Sequence, residues 1–211
     1  MKINNYILGS IKDLSLDQLK VFYLAICKRK TGTNVSKINY YEILDLFKHK
    51  KCSKQNLIDI VVGIDKRITI INFKNGNIPN INIFDTILFF ENENEFYFKF
   101  NDNSIYLIEE MDENFSTIKI DELNSLKSKH TARFYELFRR YENMGIIKMK
   151  LEDIRVYFNL SETYSDCNLE RVVIKESIKE LKDKIGANIS YKKEKRSGKI
   201  THYVFKFKLI T

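Results

Sequence analysis

Apolar residues recur at helical spacing in the second half of the chain. Leu126, His130, Phe134, Leu137 and Tyr141 lie three or four positions apart and make one mostly apolar face. Gly145 follows as a stop. A short strand, Ile146 to Met149, leads to a second helix from about Leu151 to Phe158. The polar turn Ser161 to Asp166 then offers Ser165 or Asp166 as the cap of a third helix, from about Cys167 to Ile185, which Gly186 ends. Beyond it the pattern changes to alternation. Ile189 and Tyr191, then Tyr203, Phe205 and Phe207 after the turn Lys195-Arg196-Ser197-Gly198, predict a two-stranded hairpin with a basic tip. Three helices closed by such a hairpin form a winged helix, the helix-turn-helix variant whose third helix can enter a DNA major groove.

The same order occurs earlier in the chain. Phe22-Tyr23 recurs as Phe134-Tyr135, Tyr40 to Phe47 as Leu151 to Phe158, and Asn56-Leu57 as Asn168-Leu169, at offsets of 112, 111 and 112. Matches in order at nearly one offset indicate an internal duplication. The fold expected is therefore α+β, two tandem winged-helix domains, with a longer β-rich region from Arg67 to Ile108 in the first copy and Pro79 in a turn-like stretch, Asn75 to Asn80, that joins two strands. The boundary falls at Asp112 to Asn114, which divides the chain into residues 1–114 and 115–211.

Projected at about 100° per residue, the third helix of the second copy places Ile174, Ile178, Leu181 and Ile185 together as the buried face. Asn168, Arg171, Lys175, Lys179 and Lys182 fall on a neighbouring stripe, away from Glu176 and Glu180. On a helix lying in a groove, residues near its N-terminus reach base edges, so Asn168 and Arg171 are expected to read adenine and guanine. Lys175, Lys179 and Lys182 are expected to meet phosphate. Lys192, Lys193, Lys195, Arg196 and Lys199 are expected to place five positive charges around one hairpin tip, a basic wing where self-repulsion calls for a counter-charge. The equivalent helix of the first copy differs: Leu57, Ile60, Val61 and Ile64 face one side and Ile58 and Val62 another, the mark of a helix buried on two sides. Lys50, Lys51, Ser53 and Lys54 at its start form a secondary candidate for phosphate contact. The strands Ile83 to Phe90 and Phe96 to Phe100 could pair at an open edge with a second copy, so this domain is expected to dimerise.

Charge agrees with that division. Of 36 basic and 28 acidic residues, residues 1–115 hold 15 of each, while residues 116–211 hold 21 basic and 13 acidic, so the whole excess of +8 lies in the second copy. A neutral module joined to a basic one points to a polyanion met by the second. Neither apolar run, Leu57 to Ile64 nor Ile83 to Phe90, approaches the roughly 20 residues of a membrane span, and the first residues lack the pattern of a signal peptide, so a cytoplasmic location is expected. Cys27, Cys52 and Cys167 form no CxxC pair, and His49, His130 and His202 are far apart, so neither a disulfide framework nor a metal site is expected. No GxxxxGK[ST] or GxGxxG loop occurs, and the acidic clusters look like solvated turn and linker. No cofactor and no enzymatic activity are expected; a DNA-nicking enzyme would need a histidine pair for its metal.

The residues from Ser128 through Ala132, Arg133, Phe134, Tyr135, Glu136, Leu137, Phe138, Arg139 and Arg140 to Tyr141, then Leu151-Glu152-Asp153-Ile154-Arg155, Tyr164 and Arg171 to Leu181 before a basic hairpin, resemble the iteron-binding plasmid replication initiators, the tandem winged-helix Rep proteins. Leu14 to Ala25 and Asn114-Phe115-Ser116 fit the same pattern. The resemblance implies a second domain that reads directly repeated origin DNA and a first that mediates dimerisation. It also implies monomers that open the origin with the host replication initiator and helicase machinery to start theta-type replication, and dimers that repress the initiator's own gene. Arg171 and Lys175 fall where that family places its recognition helix. The competing reading is a winged-helix transcriptional repressor bound to one inverted repeat.

Overall fold

The computed structural model describes residues 2–4, 11, 13–30, 32–47, 52–64, 69–70, 81–109 and 115–209. The chain forms two compact units that divide between Phe115 and Ser116. The expected boundary, Asp112 to Asn114, and the turn around Pro79 lie outside the described residues. Among these residues no helix is long and apolar enough to cross a membrane.

In the first unit a short strand, β1 (Lys2–Asn4), precedes α1 (Leu16–Lys28). This helix begins at a capping box: Gln18 N–H donates to Ser15 Oγ and Ser15 N–H to Gln18 Oε1, both at 3.2 Å. Its buried face carries Leu19, Phe22, Tyr23 and Ile26. β2 (Val35–Asn39), α2 (Tyr40–Leu46) and α3 (Lys54–Val62) follow, and then the two-residue strands β3 (Thr69–Ile70) and β4 (Ile81–Asn82), which pair with each other. β5 (Phe84–Phe90) and β6 (Glu95–Phe100) complete an antiparallel sheet in the order β2-β6-β5. Phe96, Phe98 and Phe100 alternate inwards, and the Phe100 ring lies 4.7 Å from that of Phe84.

The β-rich region ends earlier than expected. Asp102–Glu109 is a helix, α4, because the Asn101 side chain accepts the Asn103 N–H at 3.0 Å and starts a turn, while Ser104 Oγ donates to the Ile83 carbonyl at 2.8 Å and docks it.

β7 (Phe115–Thr117) spans the division, and the second unit then contains α5 (Ile120–Ser125), α6 (Lys129–Arg140), β8 (Ile146–Lys150), α7 (Leu151–Tyr157), a long helix α8 over residues 166–185, and the hairpin β9 (Asn188–Arg196) and β10 (Lys199–Lys208). The single helical face expected from Leu126 to Tyr141 is divided: the chain extends at Leu126, and Ser128 Oγ accepts the Thr131 N–H to cap α6. α6 is buried almost all round. Phe134 and Phe138 pack on Phe158, Phe205 and Phe207 at ring separations of 4.5–5.9 Å. Its charges are paired where they enter the core, Arg133 with Glu136 at 2.7 Å and Arg139 with Glu122 and Glu142 at 2.6 and 2.9 Å.

The sheet order here is β8-β10-β9, the arrangement of the first unit repeated. Val35 and Ile146 open equivalent strands, and Tyr40 and Leu151 equivalent helices, at the 111-residue spacing of the sequence repeat. Both units are winged helices.

Candidate nucleic-acid interface

α8 carries the candidate interface residues, and its start is fixed from two sides. Ser165 Oγ accepts the Asn168 N–H at 3.2 Å as an N-cap. Arg155, projecting from α7, donates to the Tyr164 carbonyl at 2.6 Å and the Ser161 carbonyl at 3.4 Å, and pairs with the Asp166 carboxylate. One guanidinium thus joins the second helix, the turn and the first residue of the third. Further along, Glu180 accepts the Lys127 N–H at 2.6 Å and the Thr131 hydroxyl at 2.5 Å, which ties α8 to the start of α6.

The buried seam of α8 differs from the expected one. Leu169, Val173, Ile174, Ser177 and Leu181 are buried, whereas Ile178 and Ile185 are only half-buried. The cause is local backbone geometry: Leu169–Lys175 forms π-type turns, with i→i+5 hydrogen bonds. In a regular α-helix an i, i+4 row drifts by about 40° per step. Wider turns reduce the drift, so Leu169, Val173, Ser177 and Leu181 remain on one seam and the face turns toward Ser177.

Arg171, Lys175, Lys179 and Lys182 are all exposed on α8, and Asn168 is half-buried at its start. Arg171 Nη2 donates to Asn168 Oδ1 at 3.1 Å, which holds the two expected base-reading side chains together. The wing turns back at Ser197-Gly198, both with positive φ (+50° and +80°), as a tight hairpin turn requires. Lys195, Arg196 and Lys199 surround that turn and are exposed.

Lys193 and Lys192 are placed differently from the expected tip cluster. Along β9, Tyr191 and Lys193 share the face that looks at α8, where the Lys193 ammonium donates to both Glu170 carboxylate oxygens at 2.9 and 3.1 Å and Tyr191 Oη donates at 2.8 Å. Alternation puts Lys192 on the opposite face of the sheet. Lys175 Nζ lies 3.9 Å from the same Glu170 carboxylate, an i, i+5 approach that the π turns permit. The Lys193 hydrogen bond first, and that of Tyr191 next, hold the Glu170 carboxyl below its ordinary range. Burial and the bond to Glu170 push the Tyr191 phenol up. Glu170 therefore clasps wing to helix. Sequence reasoning missed it, although Tyr191 and Lys193 alternating toward an acid on α8 were a usable signal.

In the first unit, Ser53 Oγ is occupied as the N-cap of α3, accepting the Asn56 N–H at 3.2 Å. Lys54 Nζ lies 5.2 Å from the Phe89 ring centroid and 3.6 Å from the Glu91 carboxylate, so its charge is met within the unit. Lys50 and Lys51 lie outside the described residues. Leu57, Val61 and Ile64 are buried, but Ile58 is half-buried and Val62 is 37% exposed, so the second side of α3 is not closed. Among the described residues no group of three His, Cys, Asp or Glu side chains is placed to hold a metal ion.

Two winged helices in tandem, one of them presenting a cationic third helix and a basic wing, define a winged-helix DNA-binding protein. The chain belongs to the initiator replication protein family: residues 1–139 match "Initiator Replication protein, WH1" and residues 150–207 match "Initiator Rep protein, WH2". It is 26% identical over 212 aligned positions, covering 98% of this chain and 70% of the relative, to "Probable replication protein rep" of Bifidobacterium longum (strain NCC 2705). Its fold is similar to that of the Pi initiator protein in a crystal structure with iteron DNA, with a TM-score of 0.77, 17% identity and coverage of 100% of this chain and 97% of that one. It is also similar to RctB domains 2-3, with a TM-score of 0.50, 12% identity and coverage of 92% and 80%.

Proposed function

We propose that this protein starts theta-type replication of a plasmid by binding directly repeated origin DNA, the iterons, through its second winged helix. The observation that carries this reading is the exposed row Arg171, Lys175, Lys179 and Lys182 on α8 beside the cationic turn of the wing, in a chain of the initiator family. Asn168 and Arg171 contact base edges, and the lysines and the wing tip contact phosphate. The protein works without catalysis of its own, in the cytoplasm, and hands the opened origin to the host replication initiator and helicase machinery. The fold shared with an initiator crystallised on iteron DNA supports the reading.

Titration of the full chain with a directly repeated duplex tests it. Arg171→Ala should cost about 1–3 kcal/mol and relax preference at one base pair, whereas Lys175→Ala should weaken all sequences alike and lower the salt slope by about one. Affinity that is flat between low and high salt would exclude phosphate contact as its source.

The first unit is the dimerisation module in this reading. Among the described residues β5 is an edge strand of its sheet, and Leu88 and Phe90 on it are 45% and 42% exposed. Analytical ultracentrifugation at tens of micromolar should show a dimer; a monomer there would remove this part of the proposal. A dimer also suits an inverted repeat at the initiator's own gene, where it would repress.

A further inference from the structure

Val172 is 40% exposed in the first half of α8, directly after Arg171 and just before the turn that carries Lys175. The seam that holds this helix to its unit is filled by Leu169, Val173 and Ile174, each fully buried, so packing does not call for an apolar residue at position 172. Valine is also a weaker helix former than lysine, glutamate or alanine, and here it leaves methyl groups in water. Its place beside Arg171 on the exposed side of α8 leaves it open to an apolar partner met by that side. The floor of a DNA major groove offers one, because base edges there present donors and acceptors apart from the C5-methyl group of thymine.

We propose that Val172 is a specificity-determining residue that recognises thymine through its C5-methyl group. The inference rests on the reading of α8 as the helix that enters the groove. A β-branched side chain in a helix has one strongly preferred rotamer, so the two methyl groups are presented with little entropy left to lose. Asn168 and Arg171, already hydrogen-bonded to each other, recognise hydrogen-bonding edges. Val172 adds discrimination of thymine from cytosine at a neighbouring pair.

The test uses the full chain and a bound direct-repeat duplex in which thymines are replaced one at a time by deoxyuridine, which removes only the methyl group. In each repeat, replacement at one or two positions should weaken the wild type about fourfold, the worth of one buried methyl. Val172→Ala should bind the unmodified repeat more weakly and be insensitive to deoxyuridine at those positions, with an unchanged circular dichroism spectrum. Silent replacements, or equal losses in wild type and variant, would overturn the proposal. An Arg171→Ala/Lys175→Ala variant separates the two failures. If it loses the repeat while deoxyuridine is silent, the groove helix stands and Val172 has no such role. If it binds as tightly as the wild type, the groove reading fails and Val172 fails with it.

Discussion

Single side chains decide whether the third helix of the second unit can be a reading head at all. Arg155 holds its first turn by bonds to two backbone carbonyls and to Asp166, contacts that a lysine cannot reproduce with one ammonium. Arg155→Ala should lower stability in urea by about 1–3 kcal/mol, because the carbonyls lose a charged donor. Glu170 holds the wing against the same helix, and its titration gives a sign to the pH dependence. Its folded carboxyl titrates below the ordinary value of 4.5, so the clasp contributes fully at neutral pH and is lost as pH falls through the lowered folded value. The stability gap between wild type and Glu170→Gln should be about 1 kcal/mol at pH 7 and begin to shrink as pH falls to the ordinary carboxyl value of 4.5, continuing through the lowered folded value. Chemical denaturation at several pH values checks this; a gap unchanged down to pH 2 would exclude the ion pair. Neither residue stood out in the sequence as a site residue, because each acts through a contact between elements, and a linear pattern shows faces better than it shows which two faces meet.

Among the elements, α8 shows both the reach and the limit of periodicity. The positions of its charges along the sequence were enough to find the exposed row Arg171, Lys175, Lys179 and Lys182, since a solvent-facing stripe tolerates some error in twist. The buried seam does not, and the π turns over Leu169–Lys175 bring Ser177 into it. Ser177 is 1% exposed and its hydroxyl has no hydrogen-bond partner among the described residues. Ser177→Ala should therefore stabilise the protein by about 1 kcal/mol, from a buried polar group removed and a better helix former introduced. A lower midpoint in urea would show that the hydroxyl is satisfied. The hairpin β9–β10 was legible from alternation and the Ser197-Gly198 turn. By contrast, α4 was hidden, because Ser104 docks it on Ile83 from a distance in sequence that no short pattern spans. The break between α5 and α6 was hidden as well, because Leu126 keeps its place in the apolar pattern while the backbone there is extended.

The molecule as a whole is one architecture used twice with different surfaces. The 111-residue repeat was readable because equivalent strands and helices kept their spacing, and the charge imbalance was readable because it needs only counting. Divergence between the copies lies in what their third helices show: a cationic row on α8, and on α3 a lysine already met by Phe89 and Glu91 beside a partly open apolar side. That asymmetry underlies the division of labour proposed above, with DNA reading in the second unit and self-association in the first. Because the second unit holds the entire +8 excess, the logarithm of affinity should fall linearly with the logarithm of salt concentration, with a slope set by the phosphates it neutralises. The most direct measurement is selection of bound fragments from random and plasmid-derived DNA at moderate salt, run in parallel with the Arg171→Ala/Lys175→Ala variant. The account predicts enrichment of direct repeats spaced by about two helical turns, lost in the variant. Enrichment of a lone palindrome, or of no sequence at all, would contradict it.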